Sequence, residues 1–218
     1  MTKSSFESTS IGKPQSRLRP PQNPFATRFI RPGAIRFQFP RSIDVARLVA
    51  RFADFRWRGA IVGPHGSGKS TLLAELRPEL TRANRRIIQV SLHDRDRRLP
   101  AAIDDSERSS TETLIIVDGY EQLSGSSRRA LDRRCRRTGS GLLVTSHGAT
   151  HLPELYQTAI DLELLERIVE RLTGGDRRFV SAADVEQAFS RHGQNAREAL
   201  FSLYDLHEHR WRELAEQL

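Results

Sequence analysis

The feature that most constrains this chain is a glycine-rich stretch between a short apolar run and a segment with helical periodicity. The stretch is Gly63–Ser70, read GPHGSGKS, and it fits the pattern G-x-x-x-x-G-K-[ST]. Glycines there let backbone N–H groups wrap around a phosphate chain, because a Cβ would collide or the backbone needs a positive φ. A helix that follows adds its N-terminal amides and its dipole. The sequence therefore predicts a phosphate-binding loop and a bound nucleoside triphosphate.

Each part of this loop has an expected role. We expect Lys69 to reach the β and γ phosphates and the hydroxyl of Ser70 to ligate Mg²⁺. Lys69 is the only lysine outside the N-terminal segment, which holds Lys3 and Lys13. No guanine-reading motif of the N-K-x-D type occurs, which favours ATP but leaves GTP open. The predicted nucleotide-binding residues are Gly63, Pro64, His65, Gly66, Ser67, Gly68, Lys69, Ser70 and Thr71.

Composition limits the class of protein. The chain has 218 residues, a formal net charge of +8 and one cysteine, Cys135. The length suits one domain with a small appendage, and a single cysteine suits a reducing compartment. No apolar run is long enough to span a bilayer, and the N-terminus lacks the apolar segment of a secretory signal. We therefore expect a soluble cytoplasmic protein in which residues 1–24 form a disordered basic tail.

Alternating strand and helix patterns predict an α/β fold of three layers with a parallel sheet over residues 25–160. The phosphate-binding loop within it makes the expected domain a three-layer P-loop NTPase core. Residues 161–218 carry only helical patterns, with capping signals at Ser181 and Asn195, and predict a small helical lid subdomain. Within the core, Phe25–Phe39 predicts an arm with a turn or a short hairpin that packs on the main domain. The expected strands are Ala60–Val62, Ile87–Leu92, Thr113–Asp118 and Gly141–Ser146, and the expected helices are one capped by Ser42, one from Lys69 to near Pro78, a short one within His93–Ser110, and Gln122–Arg137.

Polar residues follow the predicted strands at the edge where open α/β sheets bind their ligands. Asp118 ends an apolar strand and is the expected acid that holds Mg²⁺ through water. Glu121 can orient an attacking water if a turn follows Asp118, or it can merely cap a helix if one begins at once. Thr145, Ser146 and His147 end the next strand, where a hydroxyl or imidazole can sense the γ phosphate, position water or simply cap a helix.

Together these segments resemble the AAA+ class of P-loop ATPases and the related STAND (NACHT-type) ATPases, over about residues 42–210. GPHGSGKSTLL is similar to their Walker A, LIIVDGYEQL to the NACHT-type Walker B, LLVTSH to the sensor 1 strand and HGQNAREAL to the lid segment that carries sensor 2. The resemblance implies that Asp118 is the Walker B acid, Glu121 the catalytic carboxylate, Ser146 or His147 sensor 1 and Arg197 sensor 2. It also implies ATP hydrolysis with Mg²⁺ and a lid whose position a protein partner reads.

Two features depart from the AAA+ pattern. Gly119 stands where a glutamate usually follows the Walker B aspartate, and no arginine lies between His147 and Glu166 to serve as an arginine finger in a ring. The oligomeric state therefore stays open, as do three further classes: a non-hydrolysing nucleotide switch, a small-molecule kinase and a nucleic-acid-associated helper ATPase. The last class rests on the net charge and on an arginine cluster. Such a cluster is typical of a surface that contacts phosphates and equally of a solvent-exposed helix face. That cluster is Arg128, Arg129, Arg133, Arg134, Arg136 and Arg137.

Overall fold

The computed structural model describes residues 22–40, 42–92, 98–99, 103 and 110–217, and every structural statement below concerns these residues. Two expectations fall largely outside this range. The predicted N-terminal tail lies outside it except for residues 22–24, and so does most of the stretch 93–110, where a short helix was expected.

Five strands form one sheet in which every neighbouring pair is parallel. In sheet order they are β2 (Arg86–Ser91), β3 (Thr113–Asp118), β4 (Gly141–Ser146), β1 (Arg58–Val62) and β5 (Glu154–Gln157). The central strands β3 and β4 are buried along almost their whole length, because helices cover both faces of the sheet. The predicted parallel sheet of a three-layer α/β fold is thus confirmed, with β5 as an edge strand that the sequence pattern did not predict.

Helices form the two outer layers. Helices α2 (Val45–Asp54) and α3 (Lys69–Arg82) pack on one face of the sheet, and α4 (Gly125–Thr138) packs on the other. The cap of α2 is the side chain of Asp44, which accepts from the N–H of Arg47 at 2.7 Å, and the predicted cap Ser42 was wrong.

Helix α3 does not end near Pro78, as the sequence suggested, but continues to Arg82. An interior proline removes a backbone hydrogen bond and costs about 3 kcal/mol or more. Leu76 and Leu80 flank it on the inner face and are both buried. Burying two leucine side chains stabilises the helix by roughly 1.5 to 3 kcal/mol each, which offsets that cost.

Three C-terminal helices gather around a cluster of their own. They are α5 (Leu162–Thr173), α6 (Ala182–His192) and α7 (Ala196–Glu216). The predicted capping box at the start of α6 is confirmed, since Ser181 and Asp184 each bond the other's backbone N–H. At the start of α7 a second capping box, Asn195 with Glu198, was predicted, and only its first half forms. The Asn195 side chain accepts from the N–H of Glu198 at 3.3 Å, but the N–H of Asn195 donates to the carbonyl oxygen of His192 and not to Glu198. Among the described helices, none combines the length and apolar character needed to cross a membrane.

The N-terminal arm connects the two parts of the molecule. It contains a short helix α1 (Thr27–Ile30), a turn at residues 33–34 and one isolated bridge between Pro32 and Ile35, so of the two expected forms the turn is present and the hairpin is not. Phe25 is fully buried in the cluster of the C-terminal helices. Phe37 packs edge-on against Tyr156 of β5, with ring centroids 5.7 Å apart. The arm therefore packs on the C-terminal helices as well as on the core.

Candidate functional site

The order of the strands brings the predicted site residues to one edge of the sheet. Since all the strands are parallel, the segments that follow them meet at the carboxyl edge. Strand β4 lies between β1 and β3, so the end of β4 lies between the phosphate loop and Asp118. A cavity of about 700 Å³ opens there between the sheet edge, the arm and the C-terminal helices.

The alternation of side chains along the strands decides which residues face helix α3. On β3, Leu114 and Ile116 belong to the cluster under α2 and α3, so Asp118 points to the same side. On β4 the residue in that cluster is Leu143, so Thr145 shares its side. Ser146 points to the opposite face and is buried. Its hydroxyl accepts from the N–H of Gly148 at 3.4 Å, outside the cavity.

Two hydroxyl groups fix the carboxylate of Asp118. The Oγ of Ser70, in the first turn of α3, donates to Oδ2 at 2.8 Å. The Oγ1 of Thr145 donates to Oδ1 at 2.5 Å and accepts from the N–H of Gly119 at 2.9 Å. Each carboxylate oxygen thus has one hydroxyl partner, and the serine and the aspartate present oxygen ligands side by side.

This donor set fits Mg²⁺. Magnesium is typically bound through one or two carboxylates, with waters and substrate phosphates as its other ligands. Within the part of the chain that the structure describes, no group of three or more His, Cys, Asp or Glu residues could hold a metal ion. Ser70 and Asp118 are therefore suited to a metal that arrives with a phosphate ligand.

The phosphate loop has the backbone that its glycines predict. Gly66 and Gly68 have φ values of +68° and +95°, which residues with a Cβ rarely adopt. The Nζ of Lys69 donates to the carbonyl oxygens of Gly63 at 2.6 Å and Pro64 at 2.7 Å. The pKa of Lys69 is lowered, mainly because the ammonium group is partly buried and to a smaller extent by the charge of Arg197. The carboxylates of Glu121 and Asp118 oppose this shift. The lysine ammonium thus lies at the loop, where phosphate oxygens would replace its carbonyl partners.

Glu121 lies in a turn and not inside a helix. The residues after Asp118 form a single 3-10 turn, Tyr120–Gln122, and α4 begins only at Gly125, so the predicted helix start at Gln122 was wrong. Glu121 accordingly lines the cavity. Its Oε2 is buried without a hydrogen-bond partner among the described residues. Of the two outcomes that the sequence left open, the turn is the one observed.

Two histidines pack together at the cavity, and one of them, His147, lies beside Glu121. The Nε2 of His147 is 3.3 Å from Oε1 of Glu121, and its ring lies against the ring of His65, with centroids 3.4 Å apart. Burial lowers the pKa of His147 and nearby Lys69 and His65 lower it further, against the opposing charges of Glu121 and Asp118. A histidine with a pKa below its usual value of about 6.5 is neutral at pH 7.

The start of helix α7 packs directly on the phosphate loop. A Cβ at Gly66 would collide with Oδ1 of Asn195, so only glycine permits this approach. Two residues on, Arg197 lines the cavity with an exposed side chain that has no ion-pair partner among the described residues. The C-terminal helices thus bring a cation to the phosphate end of the cavity.

Most of the predicted site residues meet at this cavity. Thr145 also lines it, although the resemblance assigned sensor 1 to Ser146 or His147, and of those two only His147 reaches it. Thr145 was one of the three polar residues expected at the end of β4. The predicted residues that line the cavity are His65, Gly66, Gly68, Lys69, Ser70, Thr71, Asp118, Glu121, Thr145, His147 and Arg197.

The other end of the cavity is apolar, and sequence reasoning did not assign its residues to the site. The side chains at this end come from the arm, from the segment just before α5, and from helices α5 and α7. In the sequence they are indistinguishable from ordinary core residues. A pocket with an apolar end and convergent polar groups is the usual form of a small-molecule site. The apolar lining is Ile30, Ile35, Phe37, Ile160, Leu164, Ile168 and Leu200.

Comparisons with known proteins agree with this architecture. No protein-family model matches the sequence, and neither does any curated protein. Among solved structures, the Walker-type ATPase PABY2304 of Pyrococcus abyssi matches with a TM-score of 0.50 at 13% identity, covering 89% of this chain and 76% of that one. PCH-2 of C. elegans matches with a TM-score of 0.38 at 12% identity, covering 76% of this chain and 66% of that one. With its all-parallel sheet and its glycine-rich loop, the chain has the three-layer α/β fold of a P-loop NTPase.

Proposed function

We propose that this protein binds ATP with Mg²⁺ and hydrolyses it, as an ATPase of AAA+/STAND-like type. The observation that supports this proposal most is the hydrogen bond of 2.8 Å between Ser70 of the phosphate loop and Asp118 of β3. These residues lie far apart in the chain, and a hydroxyl and a carboxylate side by side at the start of α3 suit Mg²⁺ bound to a triphosphate. Lys69, Glu121 and Arg197 line the same cavity.

The chain's own groups divide the chemistry among them. The backbone N–H groups of the loop and the Lys69 ammonium bind the phosphates, and Ser70 with Asp118 would hold Mg²⁺. The metal, when bound, neutralises charge on the β and γ phosphates. Glu121 orients the water and accepts its proton as the water oxygen attacks the γ phosphorus, while the bond from that phosphorus to the bridging oxygen breaks and ADP leaves. His147 lies beside Glu121, and Arg197 stabilises charge on the γ phosphate.

The cavity's construction supports a switching role for the C-terminal helices, residues 161–218, as a lid. Because the core, the arm and α7 all line the cavity, a bound nucleotide would contact both parts of the molecule. ATP and ADP would then favour different positions of the helices, and a protein partner could read that difference.

A cytoplasmic location belongs to the same proposal. The single thiol, Cys135, is buried, and burial raises its pKa to about 11, which makes it a poor nucleophile.

The test is phosphate release from Mg·ATP and Mg·GTP, measured together with equilibrium nucleotide binding. We expect turnover of ATP by the parent protein, loss of both binding and turnover in Lys69→Ala, and loss of turnover with retained binding in Glu121→Gln. Glu186→Gln is the matched control, since Glu186 is an exposed glutamate of α6. It should behave like the parent.

Each outcome decides between the classes that the sequence left open. ATP binding without release of phosphate would contradict the proposed hydrolysis and favour a non-hydrolysing switch. Faster transfer to added small-molecule acceptors than to water would favour a kinase. A rate per protomer that rises with protein concentration would indicate an active oligomer.

A further inference from the structure

Helix α4 carries far more positive charge than the other helices. It contains six arginines and one acidic residue, Asp132. In each of the other described helices, the basic residues exceed the acidic ones by one at most, and α5, α6 and α7 carry more acids than bases. Among the described helices, an excess of more than one positive charge is therefore confined to α4.

Three of these arginines form an exposed row. Arg129, Arg133 and Arg137 follow each other at intervals of four residues, so they lie on one face of the helix, and all three are exposed. They have no hydrogen-bond or ion-pair partner within the described part of the chain. Like charges at this spacing repel each other and destabilise a helix. We call these three residues the arginine row.

The one acid of α4 does not neutralise the row. The carboxylate of Asp132 is mostly buried and accepts from Arg58, Arg136 and His151. Burial alone would raise the pKa of Asp132, but these partners together hold it below its usual value. The negative charge of Asp132 is thus already paired with Arg58, Arg136 and His151 and does not neutralise the arginine row. A ligand that neutralises the row must therefore come from outside the described residues.

We propose that the arginine row binds the phosphate backbone of a nucleic-acid duplex. Guanidinium groups present fixed pairs of N–H donors that match phosphate oxygens. A helix rise of about 1.5 Å per residue places the three arginines roughly 6 Å apart along the helix. A regular row of this kind suits a repeating polyanion better than a single anionic group.

The residues beside the row favour nucleic acid over an acidic protein. Protein interfaces depend on a few buried aromatic or aliphatic anchors, whereas protein–DNA interfaces are polar and strongly positive. The other exposed positions of α4 outside the last turn are Gly125, Ser126 and Ala130, which offer no such anchor. Aromatic side chains for stacking single-stranded bases are also absent from α4. The row thus fits backbone contacts to a duplex.

The proposed surface is separate from the nucleotide cavity. Helix α4 covers the sheet face opposite α3, and none of the three arginines lines the cavity. The proposal therefore does not depend on ATP hydrolysis, and its test needs no turnover.

The test is a titration of fluorescently labelled duplex DNA with the full chain, followed by anisotropy in about 50 mM salt. The test variant carries Arg129→Gln, Arg133→Gln and Arg137→Gln. The matched control carries Arg77→Gln, Arg191→Gln and Arg212→Gln, three exposed arginines of α3, α6 and α7, so both proteins lose the same charge. Thermal melting checks that both are folded, and the single variant Arg133→Gln replaces the triple one if the latter does not fold.

We expect the row variant to bind the duplex about tenfold more weakly or worse, and the control to bind within about twofold of the parent. The slope of log K against log salt should fall in magnitude by about 0.9 for each phosphate that the row variant no longer neutralises. Equal weakening in both variants, or no binding by the parent at low salt, would overturn the proposal. So would equal affinity for polyglutamate, which would indicate an acidic protein partner, or clearly tighter binding of a single strand.

Discussion

Asp118 is the residue at which three distant segments of the chain meet. Ser70 comes from the phosphate loop and Thr145 from β4, and each donates a hydrogen bond to one oxygen of the carboxylate. Thr145 also accepts from the N–H of Gly119, so its hydroxyl fixes both the carboxylate and the start of the turn behind it. Thr145 is almost completely buried, at 1% exposure, so water does not compete for these bonds.

Removing the Thr145 hydroxyl should therefore impair magnesium-dependent chemistry. In Thr145→Val the N–H of Gly119 loses its partner, at a cost of about 1 to 3 kcal/mol, and Asp118 loses one of its two restraints. We expect ATP turnover to fall about tenfold or more, since about 1.4 kcal/mol is a factor of ten, and half-maximal activity to need more Mg²⁺. Steady-state kinetics over a Mg²⁺ titration measure this. Thr145→Ser keeps the hydroxyl and should retain most activity, and a fully active valine variant would show that the hydroxyl is dispensable.

The conformation of Gly119 accounts for the glycine at a position where the AAA+ pattern that the sequence resembles has a glutamate. Its φ is +88°, and a Cβ there would lie 2.7 Å from the carbonyl oxygen of Leu92. A glutamate at this position would be strained by both effects. The next carboxylate along the chain is that of Glu121, and the positive φ of the glycine starts the turn that places Glu121 at the cavity.

At the scale of elements, Arg128 ties helix α4 to the turn that holds Glu121. Its Nη2 donates to the carbonyl oxygen of Glu121 at 2.7 Å, and its Nε donates to that of Leu123 at 3.0 Å. The guanidinium also lies over the ring of Tyr120, 5.2 Å from the centroid. Tyr120 is itself buried, which raises its pKa to about 12 and keeps the phenol neutral. The first turn of α4 is thus fastened to the Glu121 turn.

We therefore expect Arg128→Ala to lower kcat while leaving the Kd for ATP close to that of the parent, because the turn positions Glu121 but does not hold the phosphates. Single-turnover phosphate release and equilibrium ATP binding separate these two effects. Arg129→Ala, the exposed neighbour, is the control and should leave kcat unchanged. An equal loss in both variants, or weaker ATP binding with normal kcat, would argue against a positioning role for Arg128.

Helices α6 and α7 are joined by an ion pair whose strength depends on pH. Arg210 donates to both carboxylate oxygens of Asp184, at 2.6 and 2.9 Å, and this bonding holds the pKa of Asp184 at about 2. A carboxylate with a lowered pKa in the folded state contributes its full stabilisation above its unfolded pKa of about 3.9. That stabilisation is lost as the pH falls from about 3.9 towards the folded pKa of about 2. Acid should therefore weaken the packing of these helices.

The comparison of parent with Asp184→Asn by thermal melting from pH 7 down to pH 2 tests this. We expect the parent to melt higher at neutral pH, and the difference to shrink as the pH falls below about 4. Glu186→Gln serves as the control, since Glu186 is exposed on the same helix and forms no ion pair with another described residue. A difference between parent and Asp184→Asn that stays constant with pH would mean that the ion pair does not contribute.

The elements that the sequence predicts well are those whose signals are local. Continuous apolar runs indicated β3 and β4, and the capping box at Ser181 indicated the start of α6. Strand β5 has only four residues and one buried side chain, Leu155, so it shows no strand periodicity and forms through pairing with β1. Pro78 misled the prediction of α3, because burial of the leucines around it is a tertiary effect.

At the scale of the whole molecule, one cavity is built from pieces that lie far apart in the sequence. Its phosphate end could be predicted, because a loop and the ends of buried strands carry recognisable motifs. Its apolar end could not, since Phe37 and Leu200 meet only after the arm and the C-terminal helices pack together. The contact of Asn195 with Gly66 belongs to the same class, because nothing in the sequence places the start of α7 on the phosphate loop.

The most direct measurement of the central claim is a crystal structure of Glu121→Gln with Mg·ATP, a variant expected to bind without hydrolysis. We predict the triphosphate inside the 63–70 loop, the metal beside Ser70 and Asp118, and Arg197 at the γ phosphate, with the base against the apolar end of the cavity. A triphosphate bound elsewhere, or a metal remote from both Ser70 and Asp118, would contradict the account.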